Sequence, residues 1–389
     1  MTVKKLVGKL HLWLGLMSGL VVFIISITGC IYAFQAELQD LLQPFRFVEQ
    51  QQTPYLPPSR LQAQAEKALP DKLVHSVLYA EPGRAAEVLF YSHDPHYYYS
   101  VFMNPYTAEV LKVHDINNSF FGLVLEGHFY LWLPHEVGQP LVASATLIFV
   151  VMLISGIILW WPRNKNGTRQ RFTIKWNGRW RRKNYDLHNV LGFYVSGIAL
   201  LLALTGLIWG FQWFAAGVYG LASGGRELKP YQEPVSDTTL MAGKAADMPA
   251  IDKIWYNMRA QHPKAAVLEI HTPLSPSSSI LAAINPNSDT YWKMDYRYFD
   301  QYSLKELSVD HVWNRFHKLS GADKLMRMNY DIHTGGILGL PGKIIMFLAS
   351  LLCASLPVTG ICIWWGRKNK KALKADKPDR KTKRALAKV

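Results

Sequence analysis

Cysteine is scarce in this chain: three in 389 residues, Cys30, Cys353 and Cys362, all inside long apolar stretches. That excludes a disulfide framework for the remaining segments. There is no CxxC pair and no HExxH, so a zinc site has no recognisable frame. No glycine-rich phosphate loop, dinucleotide fingerprint or GxSxG elbow occurs. Charge is absent from four runs, Leu12–Phe34, Leu141–Trp161, Val190–Phe214 and Ile344–Trp365. Each has the roughly 20 apolar residues that cross ~30 Å of hydrocarbon as a helix. The composition, 49% hydrophobic and 13% aromatic, fits a four-helix membrane protein.

The net charge of +15 is unevenly placed. The residues before the first run, the stretch 162–187 and the tail from Gly366 hold 23 of the 43 Lys and Arg residues but three of the 28 Asp and Glu. The positive-inside rule therefore puts both termini and the 162–187 loop in the cytoplasm. Segments 35–140 and 215–341 then lie outside, on the periplasmic face if the membrane is a bacterial inner membrane. The basic balance reads as topology and contact with lipid headgroups, with no nucleic acid as a partner. The stretch "ITGC" at 27–30 has the look of a lipoprotein cleavage box. Thr-Gly steps recur at 205–206 and 359–360 without a following cysteine, so a helix-packing step in an uncleaved anchor is the reading taken.

The chain reads as two tandem repeats. "HLWLGLMSGL" at 11–20 and "HNVLGFYVSG" at 188–197 each open an apolar run with a histidine, and each histidine stands 17 residues before a Thr-Gly step. The second and fourth runs end alike, "ISGIILWWPR" and "VTGICIWWGR"; aligning them puts His128 within one residue of His333. Each outer segment shows a helix-like stretch, 59–69 or 250–262, followed by strand-like stretches. The expected fold is membrane α-helical: four transmembrane helices in two tandem repeats, each helix pair enclosing an outer α+β module. The expected order is an N-terminus and helix over 1–34, outer segment 35–140, helix 141–161, basic loop 162–189, helix 190–214, outer segment 215–341, helix 342–365 and basic tail 366–389.

By this topology His11 and His188 lie at the cytoplasmic ends of the first and third helices, and His128 and His333 lie just outside the second and fourth. That gives one pair per face. Gly15 and Gly192 stand one turn above His11 and His188, where a missing side chain leaves room for a flat macrocycle. Three readings stay open on the residues alone: bis-histidine haem, a metal or proton path, and structure without chemistry. "HDPH" at 93–96 is a short His/Asp cluster of the kind that is mostly solvated. Tyr97, Tyr98, Tyr99 and Trp292 are candidates for lining a ligand site or for strand packing.

The histidine-led helices, "NPYTAEVL" at 104–111, "DIHTGGILGLPGK" at 331–343 and the T/S-G-x-x-x-W-W endings resemble the PepSY-associated transmembrane family. Within it the layout is similar to inner-membrane siderophore-iron reductases of the ferrioxamine type that bind two haems. The resemblance spans His11 to about Arg367. It implies PepSY-type modules at 56–115 and 250–310, and a multi-pass inner-membrane oxidoreductase that passes electrons to ferric siderophore in the periplasm and releases ferrous iron. It implies two haem b groups held by His11, His188, His128 and His333, with His135, His311 and His317 as reserve ligands. Non-covalent haem is expected because no CxxCH occurs. The electron donor would be a quinol or a cytoplasmic reductase. Two alternatives remain: a non-redox binding or regulatory protein that modulates a peptidase through PepSY modules, and an iron permease. No acidic or histidine chain runs through the middle of the helices, which argues against the permease.

Overall fold

A computed structural model describes residues 2–162, 171–241 and 247–375. Part of the basic loop (163–170) and the basic tail from 376 lie outside the described residues. The chain divides into two compact units.

The helical unit gathers the chain up to Cys30, Gly127–Gly210 and the chain from Ile345. Its long helices are α1 (Val3–Tyr32), α5 (His135–Trp160), α6 (Trp180–Gly210) and α10 (Gly339–Ala375). All four are long and apolar enough to cross a membrane; the 30 residues of α1 span about 45 Å at 1.5 Å per residue. Between apolar helices in lipid, close packing of small residues replaces the hydrophobic effect. The buried set reflects this: Ser18, Ser26, Ala143, Ala145, Ala199, Ala203, Ala349 and Ala354. Ser350 Oγ donates to the Ser26 carbonyl at 2.9 Å, tying α10 to α1.

The second apolar run does not extend back to His128. His128 ends a separate helix, α4 (Phe120–Tyr130), and His135 begins α5. Leu131 and Trp132 between them take left-handed φ angles of 55° and 57°. The turn folds Trp132 back so that its ring occupies the space a side chain at Gly127 would need. His128 and His135 therefore belong to different helices.

The sheet unit comprises Ile31–Glu126 and Phe211–Ile344. Its strands are β1 (Val74–Tyr79), β2 (Ala86–His93), β3 (His96–Met103), β4 (Val110–Asp115), β5 (Val267–His271), β6 (Ile280–Asn285), β7 (Asp295–Phe299) and β8 (Glu306–Leu307). They form one antiparallel sheet in the order β4-β3-β2-β1-β5-β6-β7-β8. This corrects the expectation of two separate modules: each segment supplies a four-stranded meander, and pairing of β1 with β5, Val77 opposite Ile270, fuses them. The fusion hides two strand edges that would otherwise be exposed.

One face of the sheet carries α3 (Pro58–Ala68) and α8 (Ala250–Gln261). Leu61, Ala65, Trp255 and Met258 from these helices pack on Val77, Val88, Val101 and Ile270. Asp252 of α8 accepts from the Ser59 amide (2.9 Å) and hydroxyl (2.6 Å) of α3, joining the helices at their first turns. The other face is polar: Glu269 accepts from Ser76 Oγ at 2.6 Å, and Glu87 accepts from Ser100 Oγ at 2.8 Å. A bulge in β1 between Val74 and Ser76 turns His75 toward His271, with ring centroids 4.8 Å apart. The unit also holds α2 (Gln35–Leu42), α7 (Gln212–Ser223) and α9 (Gly321–Thr334). The last opens with a Ser320/Asp323 capping box.

Candidate functional site

Within the helical unit a cavity of about 380 Å³ lies among α1, α5, α6 and α10. That volume is in the ~300–1,000 Å³ range of small-molecule and cofactor sites. His11 from α1 and His188 from α6 both line it. The helical period fixes what accompanies each histidine: Gly15 is one turn on from His11 and Gly192 one turn on from His188, and both glycines also line the cavity. The walls are otherwise largely apolar, with Ser18, Tyr185, Asn189 and Arg367 as polar groups. Trp160 closes one side by stacking on Phe193 at 3.8 Å between centroids.

Both imidazoles are held in the same manner. His11 Nδ1 is 2.8 Å from Ser155 Oγ of α5, and His188 Nδ1 is 2.9 Å from Thr359 Oγ1 of α10. The residue after each hydroxyl is glycine, and a Cβ built there would stand 3.4 Å from the imidazole Cε1, Gly156 against His11 and Gly360 against His188. Glycine lets the helix backbone approach the ring closely enough for the hydroxyl to reach Nδ1. Asn184 adds a bond from Nδ2 to the Thr359 carbonyl at 3.0 Å, fixing α6 to α10 beside His188.

A third histidine repeats the pattern in the same unit. His128 Nδ1 is 3.1 Å from Thr28 Oγ1, and a Cβ at Gly29 would meet His128 Cε1 at 3.2 Å. The hydroxyl partners Thr28, Ser155 and Thr359 are the residues that sequence reasoning missed. Thr28 and Thr359 stand in the Thr-Gly steps that the sequence reading gives to helix packing, and Ser155 stands in a Ser-Gly step given no role there.

The remaining candidates lie elsewhere. His333 is in the last turn of α9, in the sheet unit. His135 opens α5 with its ring 5.1 Å from that of Tyr130. His311 has both ring nitrogens engaged: Nε2 donates to the Gln232 carbonyl at 3.2 Å, and Nδ1 accepts from the Trp313 amide at 3.2 Å. His317 is exposed in the 3-10 turn Phe316–Lys318. His93 and His96 face each other across the β2–β3 hairpin, where His96 Nε2 is 3.1 Å from Asn117 Nδ2. Among the described residues no three His, Cys, Asp or Glu side chains are grouped to hold a metal ion. Tyr97 and Tyr99 pack against the sheet core, and the Trp292 ring lies 5.6 Å from that of Phe316.

The donor set fits a planar, iron-centred macrocycle better than a bare metal ion. Two imidazoles from separate helices enter one apolar cavity, each anchored through Nδ1. Gly15 and Gly192 line the same cavity, and Arg367 offers a cation to peripheral carboxylates. His11 and His188 are the side chains that would hold such a group.

No curated protein matches the chain. The model of the PepSY-associated TM region matches residues 9–367, which reaches into all four apolar helices and takes in the whole sheet unit. The chain belongs to the PepSY-associated TM region family.

Proposed function

We propose that this protein is an inner-membrane oxidoreductase, with both termini cytoplasmic, that carries electrons to a ferric siderophore in the periplasm and so releases ferrous iron. The observation that carries the reading is the shared cavity: His11 and His188 line it together, each with Nδ1 on a hydroxyl. When bound there, haem b supplies a one-electron couple. The chain's own residues supply the rest. His11 and His188 bind and orient the group, the apolar walls exclude water, and Arg367 balances its carboxylates. His128 and His333 are proposed, on the sequence grounds above, as ligands of a second haem b. Release of iron follows from ligand preference: siderophore oxygens hold Fe³⁺ far better than Fe²⁺, so one electron loosens the chelate. The matching sequence settings of His11 and His188, each 17 residues before a Thr-Gly step, support the reading. A quinol or a cytoplasmic reductase is the proposed donor.

The test is functional and direct. Proteoliposomes holding the full chain are given a reductant inside and ferric siderophore outside, with an Fe²⁺-specific dye as the trap. Dye formation that requires the protein supports the reading. A chain loaded with haem that forms no Fe²⁺ above empty liposomes contradicts it.

A further inference from the structure

We infer that the hydroxyls of Thr28, Ser155 and Thr359 are positioning residues that fix one tautomer of His128, His11 and His188, with the proton on Nδ1 and the lone pair on Nε2. The purpose of the device rests on the haem reading above; its geometry does not.

The argument is proton accounting. A hydroxyl has one proton to donate and two lone pairs. Ser155 Oγ donates to the Met152 carbonyl at 3.1 Å. Thr359 Oγ1 donates to the Ser355 and Leu356 carbonyls at 2.9 and 3.0 Å. Thr28 Oγ1 donates to the Ile24 and Ile25 carbonyls at 2.9 and 3.1 Å. In each case a helix carbonyl stands within reach of the hydroxyl proton; with the proton there, the oxygen accepts from the imidazole beside it. Nδ1 must then carry the hydrogen in all three histidines, which leaves Nε2 unprotonated. That is the form in which imidazole ligates iron through Nε2, with its other nitrogen anchored by an outer partner. The following glycines, Gly29, Gly156 and Gly360, belong to the same device, because each lets the ring approach its hydroxyl. These three T/S-G steps are thus histidine holders as well as packing steps. The acceptor is neutral, so it orients the imidazole without adding negative charge to it, as a carboxylate would.

The test uses the full chain with ¹⁵N-labelled histidine, reduced with dithionite so that any low-spin iron is diamagnetic, together with a redox titration. The wild-type protein should show a hydrogen-bonded Nδ1–H on His188 and an Nε2 without a proton. Thr359→Val should remove the hydrogen-bonded Nδ1–H signal and shift the midpoint potential. Thr359→Ser, which restores the hydroxyl, should return both, showing that the hydroxyl and not a folding defect is responsible. Protonated Nε2 on His188 in the wild type would overturn the inference. So would a Thr359→Val protein whose Nδ1–H signal and potential are unchanged. If the wild type carries no haem the functional proposal fails, while the nitrogen spectrum still decides the tautomer.

Discussion

His11 and His188 open into the same cavity from different helices, and each is braced through Nδ1 by a hydroxyl of a third and a fourth helix. Four helices therefore contribute to one site in pairs, α1 with α5 and α6 with α10. On the proposed function, both histidines are needed for the site. His11→Ala and His188→Ala should each remove the same haem, and the double variant should match either single, because a group that needs both side chains would be lost with either one. Haem per chain, measured as the pyridine complex, checks this. A double variant that loses twice as much as either single would mean that the two histidines serve different groups.

Close approach at the T/S-G steps makes a second prediction. A Cβ at Gly360 would stand 3.4 Å from His188 Cε1, so Gly360→Val must push the imidazole aside with its two further methyl groups. Haem affinity should fall at least about tenfold, equivalent to ~1.4 kcal/mol, while helical content measured by circular dichroism is retained. Gly360→Ala should have the smaller effect, since its Cβ only reaches contact distance.

The polar face of the sheet predicts a pH dependence. Burial alone would raise the Glu269 carboxyl, but His271, Ser76 and His75 outweigh it and hold it at about 2. Burial would lower His271, but Glu269 and Glu233 raise it above its usual value. A depressed carboxyl contributes stability above its unfolded value of about 4.3, lost as pH falls toward 2. A raised histidine contributes stability below about 6.5, lost as pH climbs through its folded value. The pair's contribution is therefore largest between about pH 4.5 and 6.5. Scanning calorimetry of the full chain should show the sheet unit's transition falling on both sides of that window. Glu269→Gln should cost about 1–3 kcal/mol within the window and flatten the alkaline side; an unchanged profile would rule the pair out as its cause.

Trp255 supplies the stability prediction. It is fully buried, its ring lies 5.0 Å from that of Tyr79, and Arg259 sits 4.7 Å over it. Trp255→Ala should destabilise the sheet unit by about 3–5 kcal/mol, read as a lower denaturant midpoint. Trp255→Phe should recover most of the loss.

Much of this architecture was legible because it is local. Uninterrupted apolar runs gave the four long helices, and alternation in "AEVLFYS" and "AAVLEIHT" marked strands that are β2 and β5. The histidines at the heads of α1 and α6 stood out because their surroundings recur at matching offsets. What could not be read was non-local. Nothing in β1 or β5 announces that they pair across nearly 200 residues, since both have the alternation of any strand with two paired neighbours. The break after Tyr130 depends on two non-glycine residues in left-handed conformations, which no turn signature marks. The hydroxyl partners were hidden for a related reason. A Thr-Gly or Ser-Gly pair in an apolar helix has an ordinary packing explanation, and only the fold brings Ser155 to His11 and Thr359 to His188.

The most direct measurement of the central claim is the visible spectrum of the purified full-length chain, oxidised and dithionite-reduced, with haem quantified as the pyridine complex and repeated on His11→Ala. The account predicts non-covalent b-type bands that extract into acid-acetone, two haems per wild-type chain, and one fewer in the variant. A wild-type preparation without those bands, or a His11→Ala protein with undiminished haem, would contradict it.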